Sequence, residues 1–341
     1  MSASWRSLLV GCFKSVRSPT KPIAIALPSR TVSDLKIKNI AMDFADENLA
    51  TIGAIHLHNM TAEQLVEADS RVESHFHFSK GVWWREVKPF FYHPALPMAR
   101  IVPHQATPKP WLALGGYYHL VPDGALANGS VVVNQISDPA TYDLEKTPRS
   151  DKRRQIRRGL ALFRIACITR LDEMLDDGYR IYLDWENRIS DVRVKRSDPC
   201  VFRRWISRTL SHPYKLILGA YLEHRLVAYL VAHAVDGVAE LTKPFSDSSV
   251  NHLTPMSTLV YAYIKICGQN PQIRSACHGL RGLRPSLERY KAHLGFRNVS
   301  YPALIYLRPG VRQLVRWRLP NEYRRLMGQY VTEPTAELEA L

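Results

Sequence analysis

The chain has 341 residues with 46 Lys and Arg against 31 Asp and Glu, which gives a formal net charge of +15 at pH 7. A hydrophobic fraction of 46% can form a folded core, which excludes wholesale disorder, and the 17 Gly and 22 Pro follow no collagen-like period. The best uncharged apolar run, 226–235, has ten residues, fewer than the ~18 of a membrane span. We therefore expect a basic globular protein without a membrane span, of about two domains at roughly 150 residues each.

The cysteines and histidines predict neither a disulfide framework nor a metal centre. Five cysteines are scattered without a C-x-x-C pair, as in proteins of a reducing compartment. His56 with His58, and His75 with His77, each place two imidazoles on one strand face, but no third ligand follows at a typical spacing. We predict no metal and a cytoplasmic protein.

The N-terminal segment, residues 1–38, carries seven Lys and Arg and a single acid, Asp34. We interpret it as a disordered basic leader. An organelle transit peptide, or a start codon placed too early, has the same composition.

Residues 39–144 form the next predicted unit. Thr61 begins a short capped helix. The stretch 75–140 is rich in His, Trp, Tyr, Pro and turn signals, which favours strands and loops, and 130–134 has the pattern of a buried strand.

A basic segment follows at 146–170, with nine Lys and Arg and one acid, Asp151. Ser150 is predicted to cap a helix that ends near Gly159, which places Arg153 four residues before Arg157. Like charges at that spacing repel, so either solvent screens them or an anion binds there. Helices are predicted next at about 171–190 and 199–211.

The region 214–310 has the clearest pattern of strands and helices. Its apolar runs and turn signals predict strands at 215–222, 226–234, 238–242, 274–279 and 301–307, and helices at 254–267 and 285–293. Beyond it, 311–328 is predicted to be a basic helix broken near Pro320, followed by an acidic tail.

This order of elements resembles the acyl-CoA-binding half of the GNAT acyltransferase superfamily, and the ending Leu294-Gly295-Phe296 of the last helix supports the resemblance. The pair Tyr290-Lys291 before that glycine resembles the FemAB-like branch, including the family described as acetyltransferases involved in cellulose biosynthesis. The basic stretch 149–160 resembles the same branch. The resemblance covers 145–310 and implies a mixed α+β fold of two GNAT-type lobes, with a degenerate first lobe at 39–144 and a basic helix and acidic tail at 311–341.

One GNAT feature is missing from the sequence. Between Thr242 and Thr254 there is no Gln/Arg-x-x-Gly-x-Gly/Ala loop, which in the superfamily binds phosphates. The FemAB-like branch often lacks this loop, and its donor can be an aminoacyl-tRNA. We expect acyl-CoA as a co-substrate, with no permanently bound cofactor, and keep aminoacyl-tRNA as the alternative donor.

The resemblance and the residue chemistry give two candidate catalytic residues. Lys291 occupies the position of the FemAB-like lysine beside the acyl-transfer centre, where a cation can stabilise an oxyanion. The general-acid Tyr of many GNAT enzymes would also fall at this position, so that mechanism is not predicted. Glu240, at the end of a predicted strand that faces the cleft, is the candidate general base.

Two further groups are candidate binding residues. The N-terminus of the helix that begins at Thr254 suits a phosphate, because its N–H groups and dipole favour anions, and we assign donor binding to Thr254, Met256 and Ser257. The candidate substrate-binding residues are Arg153, Arg157 and Tyr290. The two arginines suit a phosphate-bearing substrate, whereas Tyr290 occupies the aromatic position that normally packs inward.

We therefore expect an acyltransferase that moves an acyl group from acyl-CoA to an amine or hydroxyl without a covalent enzyme intermediate. The alternatives are an aminoacyl-tRNA-dependent transferase and a non-catalytic nucleic-acid-binding protein that uses 146–170 and 312–325. The sequence leaves the acceptor and the oligomeric state open.

Overall fold

The structure is a computed structural model of the chain. It describes residues 44–70, 75–88, 90–96, 98–103, 115–188, 198–282, 284–320, 323–324 and 327. The predicted leader at 1–38 and the acidic tail lie outside these residues.

A single large sheet of twelve strands organises the described residues. The strands are β1 (Asn59–Met60), β2 (Phe76–Ser79), β3 (Val82–Lys88), β4 (Phe91–Pro94), β5 (Gly116–Leu120), β6 (Gly129–Ile136), β7 (Arg164–Cys167), β8 (Leu216–Leu222), β9 (Arg225–Val235), β10 (Val238–Ser246), β11 (Ser275–Leu280) and β12 (Arg297–Leu307). Their order is β2-β3-β4-β5-β12-β6-β11-β10-β9-β8-β7, and β1 pairs with β9. Most neighbours are antiparallel; β10 and β11, β4 and β5, and β1 and β9 are parallel.

Nine α-helices accompany the sheet in the described ranges. They are α1 (Ala45–Ala54), α2 (Ala62–Ser70), α3 (Ser150–Leu162), α4 (Leu171–Glu173), α5 (Tyr179–Arg188), α6 (Pro199–Leu210), α7 (Pro255–Gln269), α8 (Pro285–His293) and α9 (Pro309–Arg318). A π-helical turn, Met174–Gly178, joins α4 to α5. The sheet and these helices form the predicted mixed α+β class.

The alternation of side chains along β8 and β9 builds two cores, one on each face of the sheet. Leu218 and Leu230 belong to the core that contains α7, which is buried over most of its surface. Ile217 and Val231 point the other way, into a core rich in aromatic rings. Its rings include Tyr182, Phe202, Trp205 and Phe245.

Several local predictions are confirmed. Thr61 and Gln64 form a reciprocal capping box at the start of α2, with N···O distances of 2.9 and 3.3 Å. The stretch 75–140 is strand-rich, and the predicted strand at 130–134 lies within β6. The helices predicted at 199–211, 254–267 and 285–293 correspond to α6, α7 and α8.

Other local predictions are wrong at their ends. Ser150 is the first residue of α3 rather than its cap, Arg149 stands at the N-cap without a side-chain hydrogen bond, and the helix continues past Gly159 to Leu162. The strand predicted to end at Thr242 continues to Ser246 as β10, because a bulge between Leu241 and Lys243 lets it keep pairing with β9.

The last strand and helix also begin earlier than predicted. β12 starts at Arg297 instead of 301, because it pairs with β6 along residues 297–303. The basic helix starts at Pro309 instead of 311 and ends at Arg318, before Pro320.

Helix α3 packs against α7 through Gly159. A Cβ on Gly159 would lie 1.9 Å from the hydroxyl oxygen of Thr258, which is fully buried. Such an overlap requires the Thr258 side chain or the helix backbone to shift, so glycine is favoured at this contact.

We predict that Gly159→Ala lowers the free energy of unfolding by about 1–3 kcal/mol, because overpacking outweighs the ~1 kcal/mol that alanine gains in a helix. Chemical denaturation measures the change. Gly53→Ala in α1 is the matched control: no atom lies within 4 Å of its added Cβ, so its unfolding free energy should be unchanged or higher. Equal effects of the two substitutions would contradict the prediction.

Candidate active site

The parallel strands β10 and β11 pair over only three residues and then part. The last pair is Glu240 with Cys277. Beyond it, β10 stays with β9 as far as Ser246, whereas β11 shifts register and pairs with β6 at Leu280. The strands therefore enclose an opening in the sheet, and the segment that follows β10 leads into the first turn of α7.

Glu240 lies at the base of this opening, within β10 rather than at its predicted end. Its side chain is 41% exposed, and its Oε2 lies 3.9 Å from Nε2 of His233. Burial raises the pKa of Glu240, while the positive charges of Arg85 and Lys243 act in the opposite direction. A carboxylate that reaches solvent and has a raised pKa is a stronger base than an ordinary glutamate, which suits a general base.

Asp69 connects the two halves of the sheet. Its buried carboxylate lies 2.6 Å from the ammonium of Lys215, just before β8, and 3.7 Å from the guanidinium of Arg85 on β3. In a flat sheet β3 and β8 would be about 38 Å apart, at ~4.8 Å per strand. The sheet must therefore curl, and the curl brings Arg85 close enough to influence Glu240 and His233.

Neutral histidines line this region. Burial lowers the pKa of His233 to about 3, with Lys215 adding to the effect, and its Nδ1 has no hydrogen-bond partner among the described residues. Burial also lowers the pKa of His93, on β4, to about 4. Sequence reasoning named neither histidine, nor Arg85. His233 lies opposite Glu240 in the register of the β9–β10 hairpin, whereas Arg85 comes near Glu240 through the curl.

Lys291 is buried in α8. Its Nζ lies 3.2 Å from Oε1 of Glu288 and 3.3 Å from the carbonyl oxygen of Leu280, at the end of β11. Glu288 also accepts from the backbone N–H of Gly282 at 2.8 Å. Lys291 therefore lies beside the end of β11, as half of an ion pair with Glu288.

The first turn of α7 contains the predicted donor-binding residues. Thr254 is the N-cap, but its φ of 59° is left-handed and its side chain makes no capping hydrogen bond. Ser257 is buried, and its Oγ lies 3.4 Å from Nζ of Lys152 on α3. Met256 is half-buried and packs against the α7 core.

Tyr290 and Ser257 approach the same cation. The ammonium of Lys152 lies 5.4 Å from the ring centre of Tyr290. Burial raises the pKa of Tyr290 to about 12, while a hydrogen bond with Ser257 acts in the opposite direction. Sequence reasoning missed Lys152, although Lys152, Ile156 and Gly159 follow the helical spacing of a buried stripe.

Arg153 and Arg157 contact an acidic residue of the chain itself. Arg157 forms a short ion pair with Glu145, and Nε of Arg153 lies 3.9 Å from the same carboxylate. Arg153 also donates to the carbonyl oxygen of Thr147 at 2.5 Å. Glu145, one residue before the basic segment, is therefore the anion that offsets the repulsion between these two arginines.

Two negative findings apply to the described residues. None of the helices there is long and apolar enough to cross a membrane. No group of three or more His, Cys, Asp or Glu side chains there could hold a metal ion.

Comparisons with known proteins bear on the fold. No family model and no curated protein matches the chain. Among solved structures, FemX superposes with a TM-score of 0.51 at 8% identity, covering 80% of this chain and 98% of FemX. This chain has a GNAT-type fold. That part of the resemblance is confirmed, whereas the cellulose-associated branch and the domain boundaries stay predictions.

Two other solved structures are similar at lower scores. L-PGS from Bacillus licheniformis gives a TM-score of 0.49 at 11% identity, covering 80% of this chain and 99% of that one. A tandem GNAT protein from the clavulanic acid biosynthesis pathway gives 0.41 at 12% identity, with coverages of 77% and 95%.

We predict that His278, next to Lys291, makes stability depend on pH. Burial and then Lys291 lower the pKa of His278 to about 3, so it stays neutral in the fold while an unfolded histidine is protonated below about pH 6.5. The unfolded state then binds more protons, and stability is lost as pH falls, by up to ~1.4 kcal/mol per pH unit for this residue.

Unfolding free energies of wild type and His278→Gln at pH 7, 6 and 5 test this prediction. The variant should show a shallower loss of stability on acidification. His252→Gln, at an exposed position, is the control and should keep the wild-type slope. An unchanged slope in His278→Gln would rule the prediction out.

Proposed function

We propose that this protein is an acyltransferase that moves an acyl group from acyl-CoA to an amine or hydroxyl at the opening between β10 and β11. The observation that carries the proposal is the parting of these strands, with Glu240 at the last pair and the start of α7 beyond the end of β10. The FemX-like fold agrees with a transferase of this kind.

The opening provides groups suited to an extended donor. Beyond Glu240 and Cys277, the edges of β10 and β11 that face each other pair with no other strand of the described sheet. Backbone N–H and C=O groups on such edges need hydrogen-bond partners. A pantetheine chain, with its amides, can supply them. Its phosphates would lie at the first turn of α7, near Thr254, Met256 and Ser257.

The reaction follows from this placement. Glu240 accepts the proton of the acceptor amine or hydroxyl, whose nitrogen or oxygen attacks the thioester carbonyl carbon. The carbonyl oxygen becomes an oxyanion, and Lys291 supplies positive charge from the side of β11. The carbon–sulfur bond then breaks, and the thiolate of CoA leaves with the bonding electron pair.

Substrate binding by Arg153 and Arg157 requires an exchange of partners. A substrate phosphate would have to displace the carboxylate of Glu145, to which both guanidinium groups are now bound. Tyr290 is partly buried, and its hydroxyl is enclosed beside Ser257.

Aminoacyl-tRNA is the second candidate donor. The net charge of +15 and the missing glycine-rich phosphate loop favour it. The third candidate, nucleic-acid binding without catalysis, is favoured by the exposed arginines 312, 316 and 318 on α9.

Titration calorimetry with acetyl-CoA and longer acyl-CoAs, followed by release of CoA thiol with a panel of amines and alcohols, tests the proposal. We expect saturable micromolar binding of the acyl-CoA donor.

Glu240→Gln should bind the donor as wild type does and lose 10²–10⁴-fold in transfer rate. Glu47→Gln, an exposed acid on α1, is the control. Absence of binding by every acyl-CoA would overturn the acyl-CoA donor, and binding of aminoacyl-tRNA instead would support the second candidate.

Lys291 is tested by two variants that break the same ion pair. Lys291→Met removes the cation and should lower the transfer rate more than tenfold, with donor affinity within twofold of wild type. Glu288→Gln keeps the cation and should retain most of the rate. If both variants lose activity equally, Lys291 only holds the 280–288 segment and does not stabilise the oxyanion.

A further inference from the structure

Three neighbouring strands place polar side chains in one row across the sheet. Glu240 on β10 pairs with His233 on β9, and their side chains approach to 3.9 Å between Oε2 and Nε2. Lys215 directly precedes β8, whose first residue, Leu216, pairs with Ala232 on β9. Because residues directly opposite each other point to the same face, this register puts Lys215, His233 and Glu240 side by side.

Arg85 approaches this row from the other half of the sheet. Its guanidinium lies 3.7 Å from the carboxylate of Asp69, which contacts the ammonium of Lys215 at 2.6 Å. After the larger effect of burial, its charge also acts on the pKa of Glu240. The side chain of Arg85 is 36% exposed and that of Glu240 is 41% exposed. A dissolved molecule can therefore contact both the cation and the candidate base.

The neighbours of Arg85 hold its side chain in place. Arg85 pairs with Phe76 on β2 and with His93 on β4, and its guanidinium carbon lies 5.8 Å from the centre of the Phe76 ring. Asp69 has Lys215 as its closer cationic partner, so Arg85 can bind a second anion without leaving that buried carboxylate alone. A guanidinium group has five N–H donors in a planar fork that matches a carboxylate.

The groups around Arg85 favour an anion of single charge. Burial lowers the pKa of His93 to about 4 and that of His233 to about 3, so both rings are neutral. Asp69 and the ionised Glu240 already bring two negative charges, which would repel a ligand of high charge. A carboxylate carries one negative charge, whereas a phosphate monoester carries about −1.5 to −2 at pH 7. The site therefore suits a carboxylate better than a phosphate.

We propose that Arg85 binds a carboxylate of the acceptor, and that the acceptor is an amine of the amino-acid class whose amino group lies at Glu240. The two charges of such a molecule match the two side chains, because its carboxylate is attracted to Arg85 and its amino group, when protonated, to Glu240. Arg85 is thus a specificity-determining residue of the candidate active site. The inference rests on the proposed function, which supplies the acyl donor and the role of Glu240.

Matched pairs of acceptors test the assignment. They are the unbranched amino acids from glycine to 6-aminohexanoate, each beside its own carboxamide, which keeps the amino group and removes the negative charge. KM and kcat are measured on the plateau of the pH–rate profile, because Arg85 also acts on the pKa of Glu240. Wild type should prefer at least one amino acid over its carboxamide by about 10- to 100-fold in kcat/KM.

Arg85→Gln should raise the KM of the preferred amino acid by about 10- to 100-fold, because a charge-assisted hydrogen bond is lost. Turnover of the matching carboxamide should stay within about twofold of wild type, which also shows that the variant is folded. Arg85→Lys keeps the charge beside Asp69 without the planar fork. It should recover part of the preference for the amino acid, and it serves as the test if Arg85→Gln does not fold.

Arg164→Gln is the matched control. Arg164 is also a strand arginine beside an aromatic ring, with its guanidinium carbon 4.3 Å from the ring centre of Tyr221. It pairs with Tyr221 at the end of β8 that is remote from Lys215. The control should leave both members of every acceptor pair within about twofold of wild type.

Three results would overturn the inference. They are equal use of amino acids and carboxamides by wild type, an equal loss on both acceptors in a folded Arg85 variant, and better use of 2-aminoethyl phosphate than of β-alanine, which has the same spacer. The last result would assign the site to a phosphate instead of a carboxylate.

Failure of this inference is distinguishable from failure of the proposed function. Acyl transfer to amines without a preference for a carboxylate would leave the function standing and remove the role of Arg85. If wild type transfers no acyl group from any donor, calorimetric titration with the same amino acids and carboxamides tests the site alone. Binding that requires the carboxylate and is lost in Arg85→Gln would then leave the site standing, and absence of such binding would remove both.

Discussion

The parting of β10 and β11 is the constraint on which the candidate active site depends. Each strand keeps its outer partner, β9 or β6, so the two cannot follow one another beyond Glu240 and Cys277. The edges that face the gap are left with backbone groups that a ligand can bind. Glu240 at the last pair, the Leu280 carbonyl that contacts Lys291, and the start of α7 after β10 are all placed by this divergence.

The second constraint is the carboxylate of Asp69. Because it binds Lys215 before β8 and Arg85 on β3, it joins strands that lie far apart in the order of the sheet. The resulting curl places Arg85 near Glu240, where its charge opposes the rise in the pKa of that carboxyl. One buried acid thus contributes both to the shape of the sheet and to the electrostatics of the site.

Neighbouring cations of the basic segment have different partners. Arg153 and Arg157 are compensated by Glu145, while Lys152, adjacent in sequence, points into the protein among neutral partners. Stability alone would favour an apolar side chain at that position.

The sequence by itself determined the elements whose pattern is local: the apolar runs of β8 and β9, the capping box of α2, and helices α7 and α8 with Pro255 and Pro285 at their first positions. It also placed Tyr290 and Lys291 on one helix, through a resemblance that the fold supports. Only the tertiary structure decided where Glu240 opens to solvent, that Glu145 pairs with the arginines, and that Arg85 lies close enough to act on Glu240. These relations join residues through sheet curl, strand register and helix packing, and such long-range geometry leaves no periodic signal along the chain.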